Sequence, residues 1–234
     1  MENEGAQSGM EYVLFLIGSS FEYFAYFLFM FTLFRFRIKP GMITMTLLVA
    51  LLMSQISYVT RLQEDLSGMS SWIQLVLLVI WLSLLFRVPL FYSIIMNLSG
   101  FVAGFALQGI LLSGLMVLVD LTWSDIRDNP WIVLSIQILT AVLEIALCRL
   151  LDVMNWNVDF VPTPHRADVR FSGTNAVLLS AIVLGISLAA FAAYVFRDQL
   201  GSYFIVSYIV FFITLPVFLY RLLRKDCEDA SASR

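Results

Sequence analysis

Two carboxylic acids stand in stretches that are otherwise apolar: Glu22 within VLFLIGSSFEYFAYFLFMF, and Glu144 within WIVLSIQILTAVLEIALCRLL. A charged carboxylate at bilayer depth costs at least about 2.5–3.5 kcal/mol even on a forgiving insertion scale. Neither acid has an evident intramembrane Lys or Arg partner to offset that cost, so both side chains are expected to face the interior of a helical bundle. Helical spacing puts Ser19 and Tyr26 on the same face as Glu22, which groups a hydroxyl, a carboxyl and a phenol. Gln137, Thr140 and Glu144 share a face in the second stretch by the same rule. With Asn97 these residues form the candidate ligand-binding set, and Gln55, Tyr58 and Gln108 are further polar positions that would line the same cavity. Such a group would hold a polar ligand or pass a proton. The alternative is structural, with interhelical hydrogen bonds of about 0.6–2 kcal/mol each locking the bundle.

Other chemistry is poorly provided for. The single histidine, His165, rules out an HExxH zinc site or a multi-histidine metal centre, and no metal ligand set is expected. No nucleophile elbow, phosphate-binding loop or dinucleotide fingerprint occurs. Cys148 and His165 are too weak a pair to argue a thiol nucleophile. A retinal Schiff base would need a lysine inside the last span, and none is there. The sequence gives no reason to assign a cofactor, and a non-enzymatic protein is expected.

The elements that must position these residues follow from composition. Of 234 residues 60% are hydrophobic and 13% charged, and the mean hydropathy is +0.88, so lipid rather than water must be the main solvent. Hydrocarbon cannot satisfy an open backbone, and runs such as VLLSAIVLGISLAAFAAYVF do not alternate as barrel strands do. The expected fold is therefore an all-α polytopic bundle of about seven transmembrane helices, near residues 12–34, 42–60, 71–87, 89–119, 131–149, 174–196 and 202–221. Residues 1–11 form a short exterior tail, 12–221 one membrane domain with an inner loop at 150–173, and 222–234 a cytoplasmic tail.

Orientation follows from Lys and Arg, which concentrate on the cytoplasmic side. An exterior N-terminus puts eleven of the 14 basic residues inside, among them Arg35, Arg37, Lys39, Arg87 and Arg149. It leaves Arg61, Arg127 and Arg197 outside among acidic loop residues, where they read as solvated loop charges. The C-terminus is then cytoplasmic, and the protein belongs in a bacterial plasma membrane. Cys148 and Cys227 both fall near that inner side, where disulfides are rare. A net charge of -3 offers no basic surface for nucleic acid.

The fourth span is long and glycine-bearing, and is expected to tilt or break. Gly100 and Gly104 form a GxxxG pair, which serves either helix packing inside the monomer or a homodimer seam. Pro216 should kink the last span.

The helix number, the orientation and segments such as FMFTLFRFRIKP and FYSIIMNLSGFVAGFALQGILL resemble the membrane sensor domain of peptide-pheromone receptor histidine kinases of the accessory-gene-regulator type. The resemblance implies helices that recognise an extracellular peptide or small molecule. The sequence ends shortly after the seventh span, so no phosphoacceptor or nucleotide-binding region is expected, and signalling would pass through a membrane or kinase partner. Two further classes are open: a proton-coupled small-solute transporter using Glu22, and a non-catalytic assembly or scaffold protein. Small sugar transporters of the SWEET type share the layout but rely on intramembrane prolines that most of these spans lack.

Overall fold

The computed structural model describes residues 2–36, 38, 40–63 and 70–158. They fold into six helices: α1 (Glu2–Leu33), α2 (Pro40–Leu62), α3 (Ser70–Leu84), α4 (Leu90–Leu118), α5 (Trp123–Asp128) and α6 (Pro130–Met154). Among the described residues four stretches are long and apolar enough to cross a membrane: Gly9–Leu33, Pro40–Leu62, Leu90–Leu118 and Pro130–Met154. The sixth and seventh expected spans, Pro216, His165, the rest of the inner loop after residue 158 and the tail at 222–234 lie outside the described residues.

Helix ends differ from the expected ones for local reasons. α1 reaches back to Glu2, so the expected tail at residues 1–11 is helical from Glu2 on, and the membrane-length stretch starts at Gly9. The stretch ENEGAQ has no proline to stop the helix. α3 is only 15 residues long, about 22 Å at the usual rise, short of the roughly 30 Å of a hydrocarbon core. It ends at Leu84, and a turn at Leu85 and Phe86 follows before Arg87 takes a left-handed backbone (φ 56°). α4 runs unbroken through all four of its glycines for 29 residues, so the expected break is absent. The short α5 starts on a capping box at Thr122 and Asp125. Asn129 then caps α6, with Pro130 in the first turn.

Side-chain pairings fix how the helices run. Tyr12 meets Gln55 and Ser20 meets Ser54, so α2 is antiparallel to α1. Tyr23 meets Gln74 near the start of α3, while Phe27 and Phe31 stack near Phe86 beyond its end, so α3 runs parallel to α1. Tyr26 bonds Asn97 and Glu22 bonds Gln108, which makes α4 antiparallel. Gln137 meets Glu22, and Val158 reaches Leu33, so α6 is again parallel. Consecutive long helices thus alternate direction, as successive membrane crossings must. α1 is the hub, packing on α2, α4 and α6.

The basic end of this bundle is tied together by its backbone. α1 and α6 both finish with a left-handed residue, Arg35 and Asn155. Each is followed by an amide that bonds five residues back, Phe36 to Phe31 at 2.8 Å and Trp156 to Leu151 at 3.0 Å. The chain leaving α6 then gives the Val158 amide to the Leu33 carbonyl at 2.7 Å and the Asn157 side-chain amide to the Thr32 carbonyl at 2.9 Å. Carbonyls that would otherwise be orphaned at the end of α1 are satisfied in this way. Above this seam lies the core: Phe27, Met30, Phe31, Phe34, Leu82, Ile95 and Met96, all buried. Lipid tails are as apolar as these side chains, so close packing rather than water exclusion holds the cluster.

Candidate functional site

The opposite half of the bundle, toward Arg61, is not packed solid. A cavity of about 520 Å³ opens there between α1, α2, α3, α4 and α6. Exposed Ser71 and Arg61 stand at its mouth, with Ile126 of α5 beside them. Ser19, Glu22 and Tyr23 of α1 form one wall, Gln108, Phe105 and Phe101 of α4 another, and Gln137 of α6 a third. Glu144 and Tyr26 lie deepest, next to Gly104. Glu144 follows Gln137 by seven residues, so it sits about 10 Å further along the α6 axis toward the packed core.

Of the seven candidate ligand-binding residues, five line this cavity: Ser19, Glu22, Tyr26, Gln137 and Glu144. The two carboxyls read from separate stretches therefore converge, and Glu22 is the charge that acts on Glu144. Glu22 is half-buried and accepts from Gln108 Nε2 and Gln137 Nε2, each at 3.4 Å, long contacts that leave both oxygens weakly held. Glu144 is 4% exposed and its Oε2 has no hydrogen-bond partner; Gln137 Oε1 is also buried without one. Buried polar atoms are nearly always paired, so two orphan acceptors in one cavity mark it as unfinished.

The other two candidates lie elsewhere. Thr140 is buried, but its hydroxyl donates to the Ile136 carbonyl of its own helix at 2.8 Å, the usual way a threonine hides its polarity in an apolar helix. Asn97 sits beneath the cavity as a clamp, where Oδ1 accepts from the Tyr26 hydroxyl at 2.7 Å and Nδ2 donates to the Leu75 carbonyl at 2.8 Å. It joins three helices and closes the cavity from below. Gln55 and Tyr58 are also outside: Gln55 accepts from Tyr12, and Tyr58 packs on Tyr12 and Phe15.

The glycine pair acts inside the chain. A Cβ on Gly100 would lie 2.7 Å from Met30 Cγ and 3.0 Å from the Tyr26 ring, and one on Gly104 would lie 2.7 Å from Glu144 Oε1. Gly100 lets α1 approach, and Gly104 makes room for the carboxyl. Gly18 does the same for Gln137, whose Oε1 presses against its backbone.

Several lining residues escaped the sequence reading. Gln74 accepts from Tyr23 at 2.6 Å and donates to Ser57 at 2.9 Å and Ser70 at 2.8 Å, building a polar wall between α2 and α3. Ser54, Ser57 and Arg61 fall at helical spacing, the signal that could have revealed this face. Arg61 is not a loop charge as expected. It lies in the last turn of α2, with its guanidinium carbon 5.2 Å from the centre of the Phe15 ring, and it is a charge that Glu22 senses.

Fold and site together define an all-helical membrane bundle with a polar, acid-bearing cavity open at one end. Comparison with protein-family models, with curated proteins and with solved structures finds no match to this chain.

Proposed function

We propose that the chain is a receptor or sensor subunit of a bacterial plasma membrane, seven-helical with its N-terminus outside. It takes a ligand, a peptide end or a small molecule, into the bundle from the exterior and signals through a partner protein. The observation that carries this reading is the one-sidedness of the cavity. It reaches from Arg61 to Glu144 and stops on the Tyr26–Asn97 clamp above the aromatic core. The basic residues Arg35, Arg87 and Arg149 gather at the sealed end, which the distribution of positive charge assigns to the cytoplasm. A ligand from outside would reach mid-bundle and press on α1, the helix that packs on most of the others. The layout shared with accessory-gene-regulator-type sensor domains points the same way.

A second reading, a proton-coupled small-solute transporter, draws on the two carboxyls at membrane depth. It requires the Phe27, Phe31 and Met96 packing to part, and Glu22→Gln in proteoliposomes would then abolish uptake.

The receptor reading is tested by plugging the mouth. The chain and its Ser71→Trp variant are purified by affinity tag from native membranes after in-cell crosslinking. A membrane or kinase partner is expected to be retained, with its recovery or phosphorylation changed about fivefold or more by the plug. A chain that retains no such partner, or retains it identically with and without the plug, contradicts the reading.

A further inference from the structure

Resting on that receptor reading, we infer that the cavity is a site for a primary organic ammonium, its charged head between Glu144 and Glu22 and its apolar body along Phe101 and Phe105. Among the described residues the buried polar atoms left over along the cavity are oxygens, Glu144 Oε2 at its floor and Gln137 Oε1 beside Gly18 nearer the mouth. The Tyr26 hydroxyl is committed to Asn97, the Tyr23 hydroxyl to Gln74, and the side-chain amides of Gln108 and Gln137 to Glu22. Against these engaged donors stand Glu144 Oε2 and Gln137 Oε1, buried and unpartnered, and two Glu22 oxygens held only at 3.4 Å. A ligand that completes this set must bring hydrogen-bond donors, N–H or O–H.

Charge narrows the class. Glu144 stands in the field of Glu22 within one low-dielectric space, and a cation beside Glu144 offsets that repulsion. Arg61, the one guanidinium among the described residues lining the cavity, stands at the exposed mouth over Phe15, where water screens it. An ammonium with three donors fits the orphan acceptors better than a guanidinium, whose five donors would outnumber them. Phe101 and Phe105 stack with ring centres 6.0 Å apart and line the α4 wall on either side of Gly104, beside Glu144. They offer an aliphatic or aromatic body an apolar surface and the ammonium a ring face.

The experiment uses the purified full chain in lipid nanodiscs and three near-isosteric probes: benzylammonium, benzyl alcohol and benzoate, each titrated by calorimetry. Saturable binding of benzylammonium over the other two is expected. Glu144→Gln should weaken it by on the order of tenfold or more, while Glu144→Asp keeps the charge and weakens it less. The comparison of probes on the unaltered chain needs no variant to fold. Equal binding of benzyl alcohol, stronger binding of benzoate, or benzylammonium affinity unmoved by Glu144→Gln overturns the ammonium assignment. If no probe binds while the Ser71→Trp plug still changes the partner response, this inference fails and the receptor reading stands. If benzylammonium binds and the plug changes nothing, the site stands and the receptor reading fails.

Discussion

The two halves of α1 live in different worlds. Toward Arg35, the side chains of Phe27, Met30, Phe31 and Phe34 are buried against α3, α4 and α6, and the polar groups there, Asn97, Ser93 and Ser99, each have a partner. Toward Arg61, the same helix presents Ser19, Glu22 and Tyr23 to a cavity in which carboxyl and amide oxygens go unpaired. The two halves differ in what they leave unpaired. Each orphan polar atom costs about 1–3 kcal/mol where buried; among the described residues the orphan oxygens, Gln137 Oε1 and Glu144 Oε2, fall in the open half, while the sealed half leaves one buried donor, Trp81 Nε1. That asymmetry is what a binding site on a rigid support looks like.

Substitutions that break the comparison fall in a clear order. Phe31→Ala, at 1% exposure in the sealed half, should cost the most, about 3 kcal/mol, the low end for such a deletion because lipid already solvates the ring in the unfolded chain. Gly100→Ala comes next, at about 1–3 kcal/mol of overpacking, since its Cβ meets Met30 and Tyr26. Tyr26→Phe removes one interhelical hydrogen bond, about 0.6–2 kcal/mol, and loosens the clamp under the cavity. All three are read as the denaturant or thermal midpoint in a fixed lipid. Glu144→Gln in the open half should be neutral or stabilising by the same measure, because it replaces a carboxyl whose Oε2 already lacks a partner. A Glu144→Gln loss as large as that of Phe31→Ala would erase the distinction between the halves.

The smallest effect lies outside the membrane. Asp125 accepts from the Thr122 hydroxyl and backbone amide, and these bonds hold its carboxyl below the usual carboxylate range. A lowered folded value means that the cap contributes above the ordinary pKa and is lost as pH falls through the depressed one. Hydrogen exchange of the segment 123–129 should therefore lose protection on acidification, after correction for the intrinsic exchange rate, and Asp125→Asn should lack that dependence.

Much of this architecture was legible because hydrocarbon is a strict solvent. The apolar runs gave α1, α2, α4 and α6 to within a turn or so at most ends, the exception being the start of α1. The end of the short α3 was read three residues too late, at 87 rather than Leu84, because hydropathy does not register the turn at Leu85 and Phe86. The capping box at Thr122 was present in the sequence, yet a six-residue helix carries no periodicity to draw attention to it. At the site, helical spacing placed Ser19, Glu22 and Tyr26 together and Gln137 with Glu144, since a face is a local property. It could not tell that Thr140 turns its hydroxyl back on its own helix, or that Asn97 lies beneath the cavity rather than in it. Those outcomes depend on which helix arrives opposite, as does the placement of Arg61 at the mouth.

The central claim, an acid-floored cavity reached from the exterior and sealed toward the cytoplasm, is tested most directly by a thiol at its floor. Glu144→Cys is made in a chain also carrying Cys148→Ala and Cys227→Ala, and membrane-impermeant methanethiosulfonates are applied to oriented cells or inside-out vesicles. Modification from the exterior is predicted, faster for a cationic reagent than for an anionic one because Glu22 remains. Modification from the cytoplasmic side alone, or no modification from either side, would contradict the account.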